Sequence, residues 1–229
     1  MRCFYLQARF AAFRPFVSGS FRPTAGFMTP SAAYGLLLNL AGVEMRHDDG
    51  QSTMTLILQD LPHISIALGA KSFPQRHCLM QQLHNYPIGS SGKEHAINTK
   101  GNKYNIIPVK REFLSDIRAY ICISENDELE RWIVEGLSGK RRRNYGLPFL
   151  GDNSFLIDRF EPATAKEPVW WYEKIDEEGE DIRENVNRLT TTIDRADLSK
   201  TRSYLFAPAE NPTCSPSAKA WINLPESPD

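Results

Sequence analysis

The sequence predicts an α+β fold, because segments with the period of a helix alternate with segments typical of strands. The stretch TPSAAYGLLLNLAG, residues 29–42, has the clearest helical pattern, and CFYLQARF, residues 3–10, has the aromatic content of a strand. A polar segment, residues 73–108, interrupts the alternation and is too long for an ordinary connection. At 229 residues the chain is long enough to bury a sizeable core.

Residues suited to helix ends support two helices. Thr29 is placed to cap the first helix, Pro30 fits its first turn, and Gly42 fits the left-handed conformation that ends many helices. A second helix is predicted over DELERWIVEGL, residues 127–137, with Asn126 as its cap. Its first turn is acidic, which stabilises the helix through its dipole.

Strands are predicted around these helices from runs of β-branched and aromatic residues. They are TMTLILQD (53–60), HISIALGA (63–70), RAYICIS (118–124), SFLIDRF (154–160), PVWWYEKI (168–175) and two pieces within residues 188–208. The polar segment 73–108 is predicted either to lack order or to form an arm or hairpin, since its two ends contain apolar and aromatic residues. The tail, residues 211–229, contains four prolines and is expected to run irregularly.

The order of these elements up to residue 160 narrows the fold class. The order is strand, helix, two strands, insertion, strand, helix and strand. This order is close to that of a ferredoxin-like layer, in which two helices cover one face of a sheet. That layer is a common RNA-binding scaffold when aromatic and basic residues occupy its open side.

Charge is distributed unevenly along the chain. The net charge is −1, yet residues 1–111 carry +7 and residues 112–229 carry −8. Such a separation allows one basic face to meet a polyanion. No apolar run approaches the roughly 20 residues of a membrane span, and the first 30 residues lack a leader pattern. We therefore expect a cytoplasmic protein with no membrane partner.

The sequence offers few residues for metal or covalent chemistry. Four cysteines are scattered singly, without a CxxC pair, so neither a metal site nor a disulfide framework is predicted, and they are interpreted as buried apolar residues: Cys3, Cys78, Cys122 and Cys214. No nucleophile motif or phosphate-binding loop is present. We therefore predict no metal and no cofactor.

Cations and aromatic rings in loops around the predicted sheet favour RNA binding instead. The run KRRR, residues 140–143, is compact, and further cations lie near Phe16, Phe21 and Tyr104, whose rings are suited to stacking on bases. Two alternatives stay open. Lys93, His95 and Tyr104 are residue types suited to cleaving RNA without a metal. A structural adaptor that touches no RNA is the third hypothesis.

Three motifs resemble the CRISPR-associated protein family five, the RAMP-type subunit of type I Cascade surveillance complexes. They are LQARFAAFRPF followed by TPSAAYGLLLNLAG, then VKREFLSDIRAYICI (109–123), and YGLPFLGDNSFLI (145–157). The resemblance covers about residues 1–160. It implies a ferredoxin-like RAMP core with a protruding thumb hairpin. On this basis residues 1–162 form the RAMP domain, with the thumb at about 73–110, and residues 163–229 form a small β-rich extension.

The resemblance also implies a function in antiviral defence. Members of this family bind the 5′ handle of crRNA, contact the Cascade backbone subunit and the large PAM-reading subunit, and lie near the target DNA. A separate branch processes precursor crRNA, but Glu94 separates Lys93 from His95 here, so a non-catalytic subunit is predicted. The predicted RNA-binding residues are Arg14, Arg22, Thr29, Ser31, Lys100, Lys103, Lys110, Arg111, Arg141, Arg142 and Arg143.

Overall fold

The computed structural model describes residues 1–15, 21–52, 54–87, 104–124, 126–144, 146–175 and 183–226, with the backbone alone at 85–87 and 104–105. Within these ranges the α-helices are α1 (Pro30–Leu40) and α2 (Asp127–Leu137). The strands are β1 (Arg2–Ala11), β2 (Phe21–Arg22), β3 (Arg46–His47), β4 (Leu56–Ile57), β5 (Ile64–Ser72), β6 (Gln75–Pro87), β7 (Tyr104–Ser124), β8 (Arg159–Pro162), β9 (Trp170–Lys174), β10 (Asn187–Thr192), β11 (Arg202–Pro208) and β12 (Trp221–Leu224).

Four of these strands and both α-helices form the predicted ferredoxin-like core. The strands lie in the order β8, β1, β7, β5, and each is antiparallel to its neighbours. Helix α1 connects β1 to β5, helix α2 connects β7 to β8, and the two helices contact each other. The buried core includes Phe4 and Leu6 of β1 together with Leu37 of α1. The prediction of an α+β fold is confirmed.

Both helices begin as the sequence predicts. The Thr29 hydroxyl accepts a hydrogen bond from the Ala32 backbone N–H at 3.2 Å, and the Asn126 side chain accepts one from the Leu129 N–H at 2.8 Å. Gly42 follows α1 with a φ of 67°, the left-handed conformation that glycine tolerates best. No helix within the described ranges is long and apolar enough to cross a membrane.

The long polar segment begins and ends in a two-stranded ribbon. Strand β6 pairs antiparallel with β7 from Gln75 opposite Ser115 to Pro87 opposite Tyr104. The ribbon continues β7 beyond the core, because the C-terminal half of β7 pairs with β1 and β5. The two ends of the segment therefore pair with each other, as an arm or hairpin requires. Residues 88–103 between them lie outside the described part of the chain.

Strands after residue 162 continue the same sheet. Strand β9 pairs with β5 through Gly69 and Ala70, and β11 and β10 follow β9 outward. The expectation of an irregular tail is wrong in one place, because Trp221–Leu224 forms β12 along the part of the β5 edge that β9 does not cover. A sheet edge has unpaired backbone groups that attract a strand, which a composition rich in proline does not reveal. The domain boundary at residue 162 stays a prediction.

Two further expectations are corrected. The predicted strand at residues 53–60 is reduced to Leu56–Ile57, which pairs with β3 in a separate two-stranded sheet. The cysteines are not four buried apolar residues, because Cys3 and Cys122 form a disulfide while Cys78 and Cys214 are exposed. Cys3 and Cys122 are directly opposite each other in the β1–β7 register, and that proximity depends on strand pairing across 119 residues of sequence.

Candidate nucleic-acid interface

The loop between β1 and α1 is held by hydrogen bonds and positions two predicted RNA-binding arginines. The Thr24 hydroxyl accepts a hydrogen bond from the Phe13 N–H at 2.9 Å, and the Ala25 N–H donates to the Phe13 carbonyl at 2.7 Å. These bonds hold the two arms of the loop side by side. Arg14 lies on the part of the loop that follows β1, and Arg22 lies on the part that leads into α1. Both are therefore fixed near the base of the ribbon.

Strand β2 connects the part of the loop that leads into α1 with the ribbon. It pairs in parallel with β7, which places Phe21 opposite Lys110 and Arg22 opposite Arg111. The Lys110 ammonium lies 5.3 Å from the centre of the Phe21 ring, a cation–π contact. Because adjacent residues of a strand point to opposite faces, Lys110 and Phe21 occupy one face of β7 while Arg22 and Arg111 occupy the other.

A tight turn positions the Asp152 carboxylate beside these arginines. The Leu150 N–H donates to the Phe155 carbonyl at 2.9 Å, and the Ser154 N–H donates to the Asp152 side chain at 2.9 Å. The Ala12 N–H donates to the Leu150 carbonyl at 2.9 Å and thereby docks the turn on β1. Gly151 has a φ of 81° and no room for a side chain against the Ala12 carbonyl. Asp152 is consequently held in one position.

Asp152 binds two arginines of the cluster. It forms a close ion pair with Arg111 and a longer one with Arg14, in which the Arg14 Nη2 is 3.7 Å from the carboxylate. Arg111 also donates to Gln81 Oε1 at 3.2 Å and retains only 11% of its side-chain exposure, against 38% for Arg14. Arg111 is therefore the anchor, and Arg14 is the accessible cation.

Positive charge is in excess at this site. The pKa of Arg14 is lowered, first by burial and then by repulsion from Arg111 and Arg22, against the opposing attraction of Asp152. The pKa of Asp152 is held below its usual value, mainly by its hydrogen bond to Arg111. Asp152 thus pairs with two guanidinium groups while that of Arg22 repels Arg14, and a bound phosphate would relieve this repulsion and accept hydrogen bonds from the arginines. We call Arg14, Arg22, Lys110, Arg111 and Asp152 the basic cluster.

The other predicted RNA-binding residues of the described chain lie elsewhere. Thr29 is buried, and its hydroxyl caps α1 and lies 3.2 Å from the Ser31 hydroxyl. Helix capping accounts for these contacts, and an RNA-binding role for Thr29 and Ser31 stays a prediction. Because α1 contains 11 residues, its two ends are about 16 Å apart, and residues at its C-terminal end lie well away from Thr29 and Ser31 at its N-terminal end.

The basic run 140–143 lies at the far end of α1. The Arg141 guanidinium stacks on the Trp132 ring at 4.3 Å and donates to the Ala41 carbonyl, so Arg141 satisfies the C-terminal end of the helix. Arg142 is exposed and Arg143 is half-buried. The sequence interpretation grouped all the basic loops into one surface, whereas, of the predicted cations whose side chains are described, Arg14, Arg22, Lys110 and Arg111 lie together and Arg141, Arg142 and Arg143 lie apart from them.

Several predicted residues cannot be placed. Lys93, His95, Lys100 and Lys103 lie outside the described residues, and Tyr104 is described by its backbone alone. Among the described residues no group of three or more histidine, cysteine, aspartate or glutamate side chains is arranged to hold a metal ion.

Sequence reasoning missed the residues that hold the basic cluster in place. Asp152 and Gly151 lie in the quoted segment YGLPFLGDNSFLI, where a glycine next to an aspartate indicates a turn. Thr24 accepts from the Phe13 N–H, and its own N–H donates to Glu112 Oε2 at 3.1 Å. No local pattern could have identified Thr24, because both partners are distant in sequence.

Replacing Asp152 with asparagine tests the ion pairs of the basic cluster. We expect Asp152→Asn to lower the free energy of unfolding at pH 7 by about 1–3 kcal/mol, because the variant keeps the turn but loses the carboxylate charge. Since folding lowers the pKa of this carboxyl, its contribution is present above about pH 4 and is lost as pH falls through the folded-state value. Denaturant unfolding of both proteins at several pH values should show their difference shrinking below pH 4.

Asp158→Asn is the matched control for that comparison. Its pair with Arg9 is 4.0 Å long and both side chains are exposed, so a change near zero is expected. Equal stability of the wild type and Asp152→Asn at pH 7 would contradict an ionic role for Asp152.

The fold and the basic cluster together define an α+β protein with a ferredoxin-like core and a cationic site at the base of a β-ribbon. No protein-family profile matches the chain, and no curated protein sequence matches it. Among solved structures, a chain described as "CRISPR RNA-guided surveillance complex" is similar, with a TM-score of 0.56 and 12% identity over 96% of this chain and 95% of that one. A second, described as "Crystal structure of Cas protein", has a TM-score of 0.44 and 14% identity over 92% and 93%. At 12% identity the first similarity is one of fold.

Proposed function

We propose that this chain is a non-catalytic subunit of a type I Cascade surveillance complex that binds the 5′ handle of crRNA. The observation that carries the proposal is the basic cluster, in which Arg14 and Arg111 pair with Asp152 and Arg22 lies close enough to repel Arg14 at the base of the ribbon. Phosphate groups are the ligands that such a cationic site binds best. The fold that the chain shares with part of an RNA-guided surveillance complex supports RNA as the source of those phosphates.

The proposed binding mode follows from the placement of the cluster. The ribbon of β6 and β7 projects beyond the core and has cations on both faces of β7. An RNA strand that crosses the ribbon base would meet Arg22 on one face and Lys110 on the other. Contacts to the RNA backbone recognise the shape of the RNA and carry no sequence information. Sequence is then recognised by base pairing between the guide and its target.

The remaining partners belong to the same proposal. A backbone subunit and a large PAM-reading subunit would contact the surfaces that the RNA leaves free, and target DNA would pass near the large subunit. The cations of residues 141–143 are available to either RNA or protein, with Arg141 held in place against Trp132.

Crosslinking separates this proposal from an adaptor that touches no RNA. The full chain is assembled with its complex around a crRNA that contains photoreactive nucleotides in the handle and, separately, in the spacer. We expect peptides that contain Arg14, Arg22 or Lys110 to crosslink to handle positions. Crosslinks confined to the other subunits would support the adaptor and contradict the proposal.

Endoribonuclease activity is the alternative function. It would use Lys93, His95 and Tyr104 to deprotonate a ribose hydroxyl and stabilise the leaving oxygen. Incubating the purified chain with repeat RNA in the presence of a chelator tests it directly. A cleavage product that disappears in His95→Ala would replace the non-catalytic proposal with the enzymatic one, and intact RNA would support the non-catalytic one.

A further inference from the structure

Four aromatic rings form a continuous cluster beside the basic cluster, and we call it the aromatic ledge: Phe10, His77, Phe113 and Phe155. The His77 ring stacks on Phe113 with 5.2 Å between ring centres and an interplanar angle of 24°. Phe10 contacts the edge of Phe113 at 5.6 Å and lies 5.9 Å from Phe155. None of these residues was singled out by the sequence for RNA binding.

Two rings of the ledge are exposed and two support them. Phe10 retains 43% of its exposure, and His77 is also exposed, whereas Phe113 and Phe155 are half-buried. His77 is directly opposite Phe113 across the ribbon, and its Nε2 lies 2.7 Å from the Ser115 hydroxyl. The strand register and this hydrogen bond fix the plane of the imidazole ring. A ring that is already oriented loses little conformational entropy when another ring stacks on it.

The ledge and Arg111 of the basic cluster share one face of the ribbon, opposite to the face of Lys110. Arg111 is two residues from Phe113 on β7, so both side chains project from the same face. The Arg111 guanidinium lies 5.6 Å from the centre of the Phe155 ring and pairs with Asp152. Arg14 binds the same carboxylate. An exposed aromatic surface therefore lies directly beside Arg111 and the carboxylate that Arg111 shares with Arg14.

We propose that the aromatic ledge is a stacking site for an unpaired nucleobase of a strand whose phosphates bind the basic cluster. This inference rests on the proposed function and identifies the moiety that the site recognises beyond phosphate. Any base can stack on an aromatic ring, and the cations beside the ledge select a polyanion over an apolar protein side chain. The base stacks on the exposed side of His77, because Phe113 already covers the other side of that ring.

The affinity of the full chain for single-stranded handle RNA tests the ledge. We expect His77→Ala to weaken binding about tenfold and His77→Phe to restore it, because phenylalanine keeps a stacking ring without the imidazole nitrogens. The slope of log affinity against log salt should be the same in the wild type and in His77→Ala, since stacking neutralises no phosphate. His47→Ala, at an exposed histidine on β3, is the matched control and should bind as the wild type does.

An abasic RNA series identifies the stacked position. When the RNA lacks the base that stacks on the ledge, wild type and His77→Ala should bind it equally. When the RNA lacks any other base, the tenfold difference between the two proteins should persist. Single-stranded DNA of the same sequence is a second arm. A His77 effect on RNA alone would assign the site to crRNA, and an effect on both would extend it to an unpaired DNA strand.

Failure of the ledge and failure of the proposed function give different results. If Arg22→Ala with Lys110→Ala weakens binding while His77→Ala binds as the wild type does, the stacking site is wrong and RNA binding stands. If none of the three substitutions changes the affinity, the proposed function is wrong as well. A His77→Ala protein that loses binding with a changed salt slope would also overturn the stacking interpretation.

Discussion

Replacing Arg22 and Lys110 together with alanine is expected to weaken the binding of handle RNA about 100-fold at low salt. These residues are the cations of the basic cluster on opposite faces of β7, and neither forms an ion pair with a carboxylate within the described ranges of the chain. A hydrogen bond to a charged group contributes about 1.5 kcal/mol or more, which is roughly tenfold for each residue. Their loss should leave the fold intact, because Asp152 and Arg111 stay paired.

The salt dependence of binding shows whether the lost contacts were phosphate contacts. Each contact to a single strand contributes about 0.7 to the slope of log affinity against log salt, so the double variant should have a slope smaller by about 1.4. Fluorescence anisotropy at several salt concentrations measures both quantities. The control pair is Arg131→Ala with Lys200→Ala, exposed cations that already pair with neighbouring carboxylates. An equal loss of affinity in the control would indicate a general charge effect and contradict the assigned surface.

Gly136→Ala is expected to unfold the protein or destabilise it by about 3 kcal/mol or more. Gly136 lies in α2, and a side chain there would lie far inside van der Waals contact with the Leu40 carbonyl at the end of α1. The two backbones touch at this position, so the added methyl group must push the helices apart. Overpacking a core usually costs about 1–3 kcal/mol, and a clash with backbone atoms leaves no flexible group to move aside.

Gly35→Ala is the matched control for that substitution, because Gly35 is also a glycine within an α-helix. A side chain at Gly35 would be 3.6 Å from the Met45 sulphur, an ordinary contact. We expect this variant to be more stable by up to about 1 kcal/mol, since alanine loses less entropy than glycine on forming a helix. Thermal unfolding compares both variants with the wild type. If Gly136→Ala were also stabilising, the close approach of α1 and α2 would be wrong.

Local chemistry explains the parts of the fold that sequence predicted well. Thr29 and Asn126 cap the helices because each side chain bonds to a backbone N–H only three residues further along the chain. The ribbon ends were also visible, since apolar and aromatic residues recur in QQLHNYP and YNIIPVKREFL. Interactions of this kind depend on neighbours in sequence, and the order of the predicted elements already indicated a ferredoxin-like layer.

The basic cluster was predicted only in part. Arg14, Arg22, Lys110 and Arg111 could be named from residue type, but charge alone also selected Arg141, whose guanidinium lies on Trp132. The sequence did not identify Asp152, which binds Arg14 and Arg111 from positions 138 and 41 residues away. The position of the Asp152 carboxylate decides that Arg14 and Arg111 lie together, and this position is not visible in the sequence.

The sequence by itself determined helices α1 and α2 and the cationic character of the N-terminal half, because capping, periodicity and charge are properties of short segments. It predicted the ribbon only as one of two alternatives for residues 73–108. Only the tertiary structure decided that Cys3 bonds to Cys122, that β12 completes the edge of β5, and that the aromatic ledge lies beside the basic cluster. Each of these contacts joins residues that are distant in the chain. Their free energy arises from strand register and close packing, which exist only once the whole sheet has formed.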